Sequence, residues 1–196
     1  VSGRFIVLEG GEGSGKSTQA RLLADALGAV LTREPGATEV GRRIRDVVLD
    51  PAAGRGLDDR AEALLMAADR AQHVAEVVRP ALDAGRDVVS DRFSGSTLAY
   101  QGHGRGLDLG ELAWLSRWAA RGLEPDVVVL LDVPREVAAA RMGGAPDRME
   151  AAGAAFHARV LAGYRSLAAA DPARWVVVDG TGAVEEVAER VLKAVR

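Results

Sequence analysis

The 196-residue chain has no cysteine. A disulfide framework and a thiolate metal site are therefore excluded. Histidine is scarce too, and His73, His103 and His157 have no companion at metal-ligand spacing. No apolar run is long enough to cross a membrane and no signal-peptide pattern opens the sequence, so a cytoplasmic location and no membrane partner are expected. A net charge of −3 provides no basic field for nucleic acid. The N-K-x-D segment of a guanine-nucleotide switch is also missing. Only two lysines occur, Lys16 and Lys193, and nearly all other positive charge is arginine.

One of those lysines lies in the most informative stretch, Arg4 to Thr18, RFIVLEGGEGSGKST. Phe5 to Leu8 suits a buried parallel strand. Gly10 to Ser17 is G-x-x-x-x-G-K-S, and the apolar residues that follow recur at helical spacing. Strand, glycine loop and helix in that order are the context of a phosphate-binding P-loop. Gly10, Gly11, Gly13 and Gly15 are expected to take positive φ and let backbone N–H groups form an anion nest with Glu12, Ser14 and Thr18 around it. Lys16 is a compact charge for the β- and γ-phosphates of ATP, and Ser17 a ligand for Mg²⁺.

Further along, the spacing predicts strands over Val30–Thr32, Asp87–Asp91, Val127–Val133 and Trp175–Asp179, alternating with helices. The fold class is α/β: a five-stranded parallel sheet with helices on both faces, in one domain over residues 1–196. Long helices are expected from Asp58 or Asp59 to about Leu82, over Leu109–Ala120 and over Ala151–Ala170, and Pro134 should begin a helix at its first position. Gln101 to Gly110, with four glycines, reads as a loop. Trp114 and Trp118, at i,i+4, read as core or interface packing. Asp69-Arg70 reads as a solvated helix face and His73 as a surface or capping group.

Asp91-Arg92 closes the third strand. An acid there is a second Mg²⁺ ligand, and an arginine beside it can clamp a phosphate in bidentate fashion. Met142 to Asp147, with Gly143 and Gly144 between Arg141 and Arg148, reads as a mobile loop that closes over transferring phosphate.

With these motifs the chain resembles the bacterial thymidylate kinase family nearly end to end. The resemblance rests on FIVLEGGEGSGKST, TREPGAT, AADRAQHV, SDRFSGSTLAYQG, LLDV and PDRMEAAGAAFHARVLAGY. It implies a P-loop nucleoside monophosphate kinase that makes dTDP from dTMP and ATP, typically as a homodimer. It also implies roles. Glu12 faces the acceptor 3′-hydroxyl, and Arg45 and Arg92 clamp the acceptor phosphate. Arg70 reads thymine O4, Thr97 approaches N3, and Tyr100 closes off the sugar 2′ position. Glu34, Pro35, Ser96 and Gln101 complete the acceptor pocket. Gly13 stands where other members carry an arginine, so the catalytic arginine is expected from the lid, about residues 142–150, as Arg141, Arg148 or both. Met66 replaces the Phe that commonly stacks on thymine.

Overall fold

The computed structural model describes residues 2–143 and 145–196. Gly144, in the expected mobile loop, lies outside the described residues. Five strands form one parallel sheet: β1 (Phe5–Glu9), β2 (Val30–Arg33), β3 (Val88–Asp91), β4 (Val127–Asp132) and β5 (Trp175–Asp179), in the spatial order β2-β3-β1-β4-β5. β1 sits in the middle and is buried along its whole length. Its register sets Leu8 opposite Asp91 of β3 and Val129 of β4. The carboxyl ends of β1 and β3 therefore open side by side, where ligands bind in open α/β sheets.

Alternation along β1 divides the core. Ile6 and Leu8 pack with α1 (Lys16–Leu27) and α9 (Val184–Ala194), through Ala20, Leu23, Val187 and Val191. Phe5 and Val7 face the other way, toward Val74, Val78, Ala81, Leu82 and Phe93. Tyr164, from α8 (Ala154–Ala170), joins Tyr100 and Leu130 in a third cluster on that face. Helices thus cover both faces, as a parallel sheet requires.

α2 (Glu39–Leu49) is capped by the Thr38 hydroxyl, which accepts from Gly41 N. Asp58 likewise caps α3 (Asp59–His73). The long helix from Asp59 is not uniform: α3 passes into a π-helical turn, Val74–Val78, before α4 (Arg79–Asp83). A second π-helical stretch, Leu98–Gly104, follows α5 (Ser94–Thr97), so the expected loop from Gln101 is helical and buried as far as Gly104. Gly104 is needed there because a Cβ would lie 2.6 Å from Phe156. α6 (Leu109–Ala119) carries Trp114 and Trp118, which stack on each other at 6.3 Å and are 66% and 68% exposed, not in the core. Pro134 caps α7 (Arg135–Arg141) from outside rather than beginning it, because its ψ of 142° is extended. A short 3₁₀ turn, Glu150–Ala152, separates the expected start of the last long helix from α8.

Candidate active site

The loop between β1 and α1 is held against β4 and α7. At Gly13 φ is +70°, and a Cβ would meet the Ala138 carbonyl oxygen at 2.3 Å, so only glycine fits. Gly15, with φ +91°, turns the chain into α1. Gly11 departs from expectation: its φ is not positive and nothing lies within 4 Å of its missing Cβ, which leaves it an open position. Lys16 folds back under the loop, its Nζ donating to Gly11 O at 2.6 Å and to Ser14 Oγ at 3.2 Å. Burial, with the charge of Arg92 nearby, pulls its pKa down to about 8. Thr18 follows in the first turn of α1.

Arg92 is the centre of the site. Its backbone is left-handed, φ +74°, uncommon for a bulky residue, and its N–H still donates to Leu8 O at 2.9 Å. The turn aims the guanidinium inward. Nη1 donates to Gly10 O, Ser96 Oγ and Tyr164 Oη at 3.0–3.2 Å, and Nη2 to Glu12 Oε1 at 2.6 Å and Tyr100 Oη at 3.2 Å. Tyr100 also donates to Glu12 Oε1 at 2.6 Å. Burial opposes ionisation of Glu12, but the Arg92 and Lys16 charges and the Tyr100 hydroxyl outweigh it and hold its pKa at about 2. Glu12 is thus a fixed anion, and Arg92 a fixed cation.

This cluster forms one end of a cleft of about 530 Å³. Glu34, Pro35, Arg45, Met66, Ser96 and Gln101 line it with Glu12, Arg92 and Tyr100, as the sequence grouped them. Arg45 donates to Pro35 O at 3.1 Å across the mouth. Arg70 and Thr97 are not on the lining. Arg70 is fully buried behind it and is spent on Glu34, Ser116 Oγ and Thr97 Oγ1. His73 is buried as well, between Glu34 Oε1 at 2.9 Å and Thr32 Oγ1 at 2.7 Å. Asp69 accepts from Gly36 N at 3.0 Å, and burial, with Glu34 beside it, raises its pKa to about 6. The expected solvated face of α3 is therefore a polar layer tying α3 to the segment after β2.

Ser17 and Asp91 meet on the other side of the loop, Ser17 Oγ donating to Asp91 Oδ2 at 2.5 Å. Asp91 Oδ1 is buried without a partner, and both residues border an open cleft of about 800 Å³. Among the described residues no three His, Cys, Asp or Glu gather into a metal cage. A hydroxyl and one unsatisfied carboxylate oxygen suit Mg²⁺, which keeps most of its water.

The two arginines of the lid region part company. Arg141 lies over the loop, donating to Gly180 O at 3.0 Å and Ser14 O at 3.4 Å. Arg148 turns to the acceptor side, donating to Val48 O at 2.6 Å and pairing with Glu62. Sequence reasoning missed several residues here. Glu9 is fully buried and accepts from Phe93 N, Ser96 N, Ser96 Oγ and Tyr164 Oη at 2.6–3.1 Å, which fixes the turn carrying Arg92. Val48, Leu49, Asp147 and Met149 line the cleft from α2 and the lid segment. A buried glutamate ending an apolar strand was the one available signal for Glu9.

A parallel sheet in the order 2-3-1-4-5, with a P-loop after its central strand and an acid-arginine pair after its neighbour, defines a P-loop kinase of the nucleoside monophosphate type. Comparison narrows the class. The thymidylate kinase family model matches residues 8–191. The thymidylate kinase of Leifsonia xyli subsp. xyli is 53% identical over 197 residues, covering 96% of this chain and 92% of that one. That of Cutibacterium acnes is 49% identical, covering 100% and 97%. The crystal structure of thymidylate kinase from Ehrlichia chaffeensis superposes with a TM-score of 0.84 at 30% identity, with full coverage of both chains. The chain belongs to the thymidylate kinase family.

Proposed function

We propose that this enzyme transfers the γ-phosphoryl group of ATP to dTMP, giving dTDP for dTTP synthesis, with dTMP in the 530 Å³ cleft and the triphosphate on the loop. The observation that carries this reading is the Glu12–Arg92–Tyr100 cluster at the junction of the two. Arg92 and Arg45 hold the acceptor phosphate, and Glu12, ionised at any physiological pH, takes a hydrogen bond from the sugar 3′-hydroxyl. Met66 covers the base from α3. Arg70 and Thr97 meet the base edge from behind the lining, exchanging part of their present bonds for the base. Lys16 and the amino end of α1 face the β- and γ-phosphates. Ser17 and Asp91 are the residues to hold Mg²⁺, which when bound neutralises phosphate charge. Positioning and charge neutralisation suffice for the transfer. Residues 142–150 act as a lid, with Arg141 on the donor side. The test is an ATP-dependent screen of nucleoside monophosphates: dTMP should turn over fastest, and preference for a cytidine or adenosine acceptor would overturn the reading.

The 2′ position is set by Tyr100. Its ring is nearly buried and lies against the Arg92 guanidinium at 5.1 Å, so a ribose 2′-hydroxyl has neither room nor a free partner beside it. Burying that hydroxyl unpaired costs about 1–3 kcal/mol. Tyr100→Ala should bring the kcat/KM ratio of dTMP over ribothymidine monophosphate toward unity, while Tyr100→Phe keeps the ratio. Equal slowing of both substrates in Tyr100→Ala would make the ring structural only.

Lys16 predicts a pH dependence. Its ammonium is lost in the free enzyme as pH rises through about 8. Triphosphate binding favours the charged form, so kcat/KM for ATP should fall roughly tenfold per unit above that point, with the limb in kcat at higher pH. A kcat/KM profile that stays flat to pH 9.5 contradicts the shift.

Two coarser features complete the proposal. The need for ATP supports a cytoplasmic enzyme, and no helix among the described residues is long and apolar enough to cross a membrane. The exposed Trp114–Trp118 stack on α6, with Leu64 59% exposed on neighbouring α3, supports a homodimer through this face. Sedimentation at micromolar protein reads the mass directly, and a monomer there would count against it.

A further inference from the structure

Glu62 belongs to neither the loop nor the lining of the cleft, yet it is fully buried in α3. A carboxylate in such a place must answer to several donors. Its Oε1 accepts from Gln101 Nε2 at 2.8 Å and its Oε2 from Arg105 Nη2 at 3.1 Å and from Arg148. Gln101 is a wall of the acceptor cleft; Arg148 lies between Asp147 and Met149, which form another. Arg148 also fixes its own backbone, its N–H donating to Leu49 O at 2.8 Å. Gly54 makes room, since a Cβ there would lie 2.7 Å from Arg148 Cδ.

The geometry points to Glu62 as a positioning residue for the acceptor: one buried carboxylate fixes the Gln101 amide with one oxygen and pins the acceptor-side end of the lid, through Arg148, with the other. This rests on the reading of the cleft as the dTMP site. An ionised carboxylate only accepts, so the Gln101 amide must present its NH₂ to Glu62. Gln101 Oε1 is then left buried and without a partner on the cleft-lining residue. Burial opposes the charge on Glu62, but the bonds from Gln101, Arg148 and Arg105 outweigh it and keep its pKa below the ordinary value. Arg105 braces the arrangement from outside, over the Phe156 ring at 4.7 Å, and stays paired when Arg148 leaves. Two walls of the cleft therefore hang from one charge that touches no substrate.

The experiment is a double-mutant cycle of Glu62→Gln and Arg148→Met, read as dTMP KM, ATP KM and kcat. Wild-type turnover of dTMP is measured first, because its absence overturns the functional reading rather than this one. With turnover established, Glu62→Gln should raise the dTMP KM about tenfold or more and leave the ATP KM within about twofold. Arg148→Met should raise the dTMP KM by a smaller factor in the same direction, and the double variant should be no worse than Glu62→Gln alone. Wild-type dTMP KM in either single variant, or effects that multiply in the double, would overturn the assignment. So would a parallel loss in dTMP KM, ATP KM and kcat, which is what a merely structural glutamate produces. If Glu62→Gln fails to fold, Arg148→Met carries the test, since it leaves Glu62 with Arg105 and Gln101.

Discussion

Lys16→Ala is expected to fold and bind dTMP normally while losing about 10²- to 10³-fold in kcat, about 3–4 kcal/mol of transition-state stabilisation. Lys16 Nζ is nearly buried, and its present partners are a carbonyl and a hydroxyl of the loop itself. Neither is a counter-charge, so the ammonium is free to exchange both for phosphate oxygens. Charge grows on the β–γ bridge as the phosphoryl group leaves, so the interaction is stronger in the transition state than in the ground state. The loss should fall on kcat more than on the ATP KM. Steady-state kinetics of a variant with unchanged Tm decide it, and retained wild-type kcat would refute the role.

Arg92→Met has the larger structural consequence. Arg92 neutralises Glu12 and donates to five oxygens: those of Gly10, Glu12, Ser96, Tyr100 and Tyr164. Removing it leaves the half-buried Glu12 carboxylate with Tyr100 and the more distant Lys16 to favour its charge. Breaking such a part-exposed pair from one side costs less than the ~3–5 kcal/mol of a fully buried one, since water reaches the orphaned carboxylate. The sign for Glu12 follows. Its pKa of about 2 is held down against burial chiefly by Arg92, so it should rise when Arg92 is gone. In the wild type this group contributes stability that is present above its unfolded value and lost as pH falls toward about 2. In the variant that contribution shrinks, and the acid limb of kcat/KM for dTMP moves up in pH. Activity should drop more than for Lys16→Ala, because the acceptor loses both its phosphate clamp and an ordered Glu12. Arg92→Lys should recover charge but not the fan of bonds. A variant with wild-type Tm and dTMP KM would show that Arg92 is peripheral.

Most of the fold was legible because it is written in local signals. Asp58 is a capping residue before helical periodicity, and β5 is four apolar residues, Trp175 to Val178, closed by Asp179. The loop was legible because glycine, lysine and serine have fixed spacing in it. What escaped depends on residues far apart in the chain. Arg92 and Tyr164 are 72 residues apart, and Glu62 and Arg148 are 86 apart. Nothing near Glu62 distinguishes it from an ordinary first-turn glutamate complementing the helix dipole. His73 and Asp69 looked solvated because α3 is rich in charge, and only the segment after β2, folding over them, makes that face internal. The π-helical turns escaped because one extra residue per turn leaves no mark in an apolar pattern.

The central claim is that dTMP occupies the cleft ending at Arg92, with its phosphate aimed at the loop. A crystal structure of the enzyme with dTMP and a non-hydrolysable ATP analogue tests it most directly. The account predicts the dTMP phosphate within hydrogen-bond distance of Arg92, the base against Met66, and the triphosphate on the loop at Lys16. It is contradicted if dTMP lies elsewhere or if its phosphate points away from Arg92.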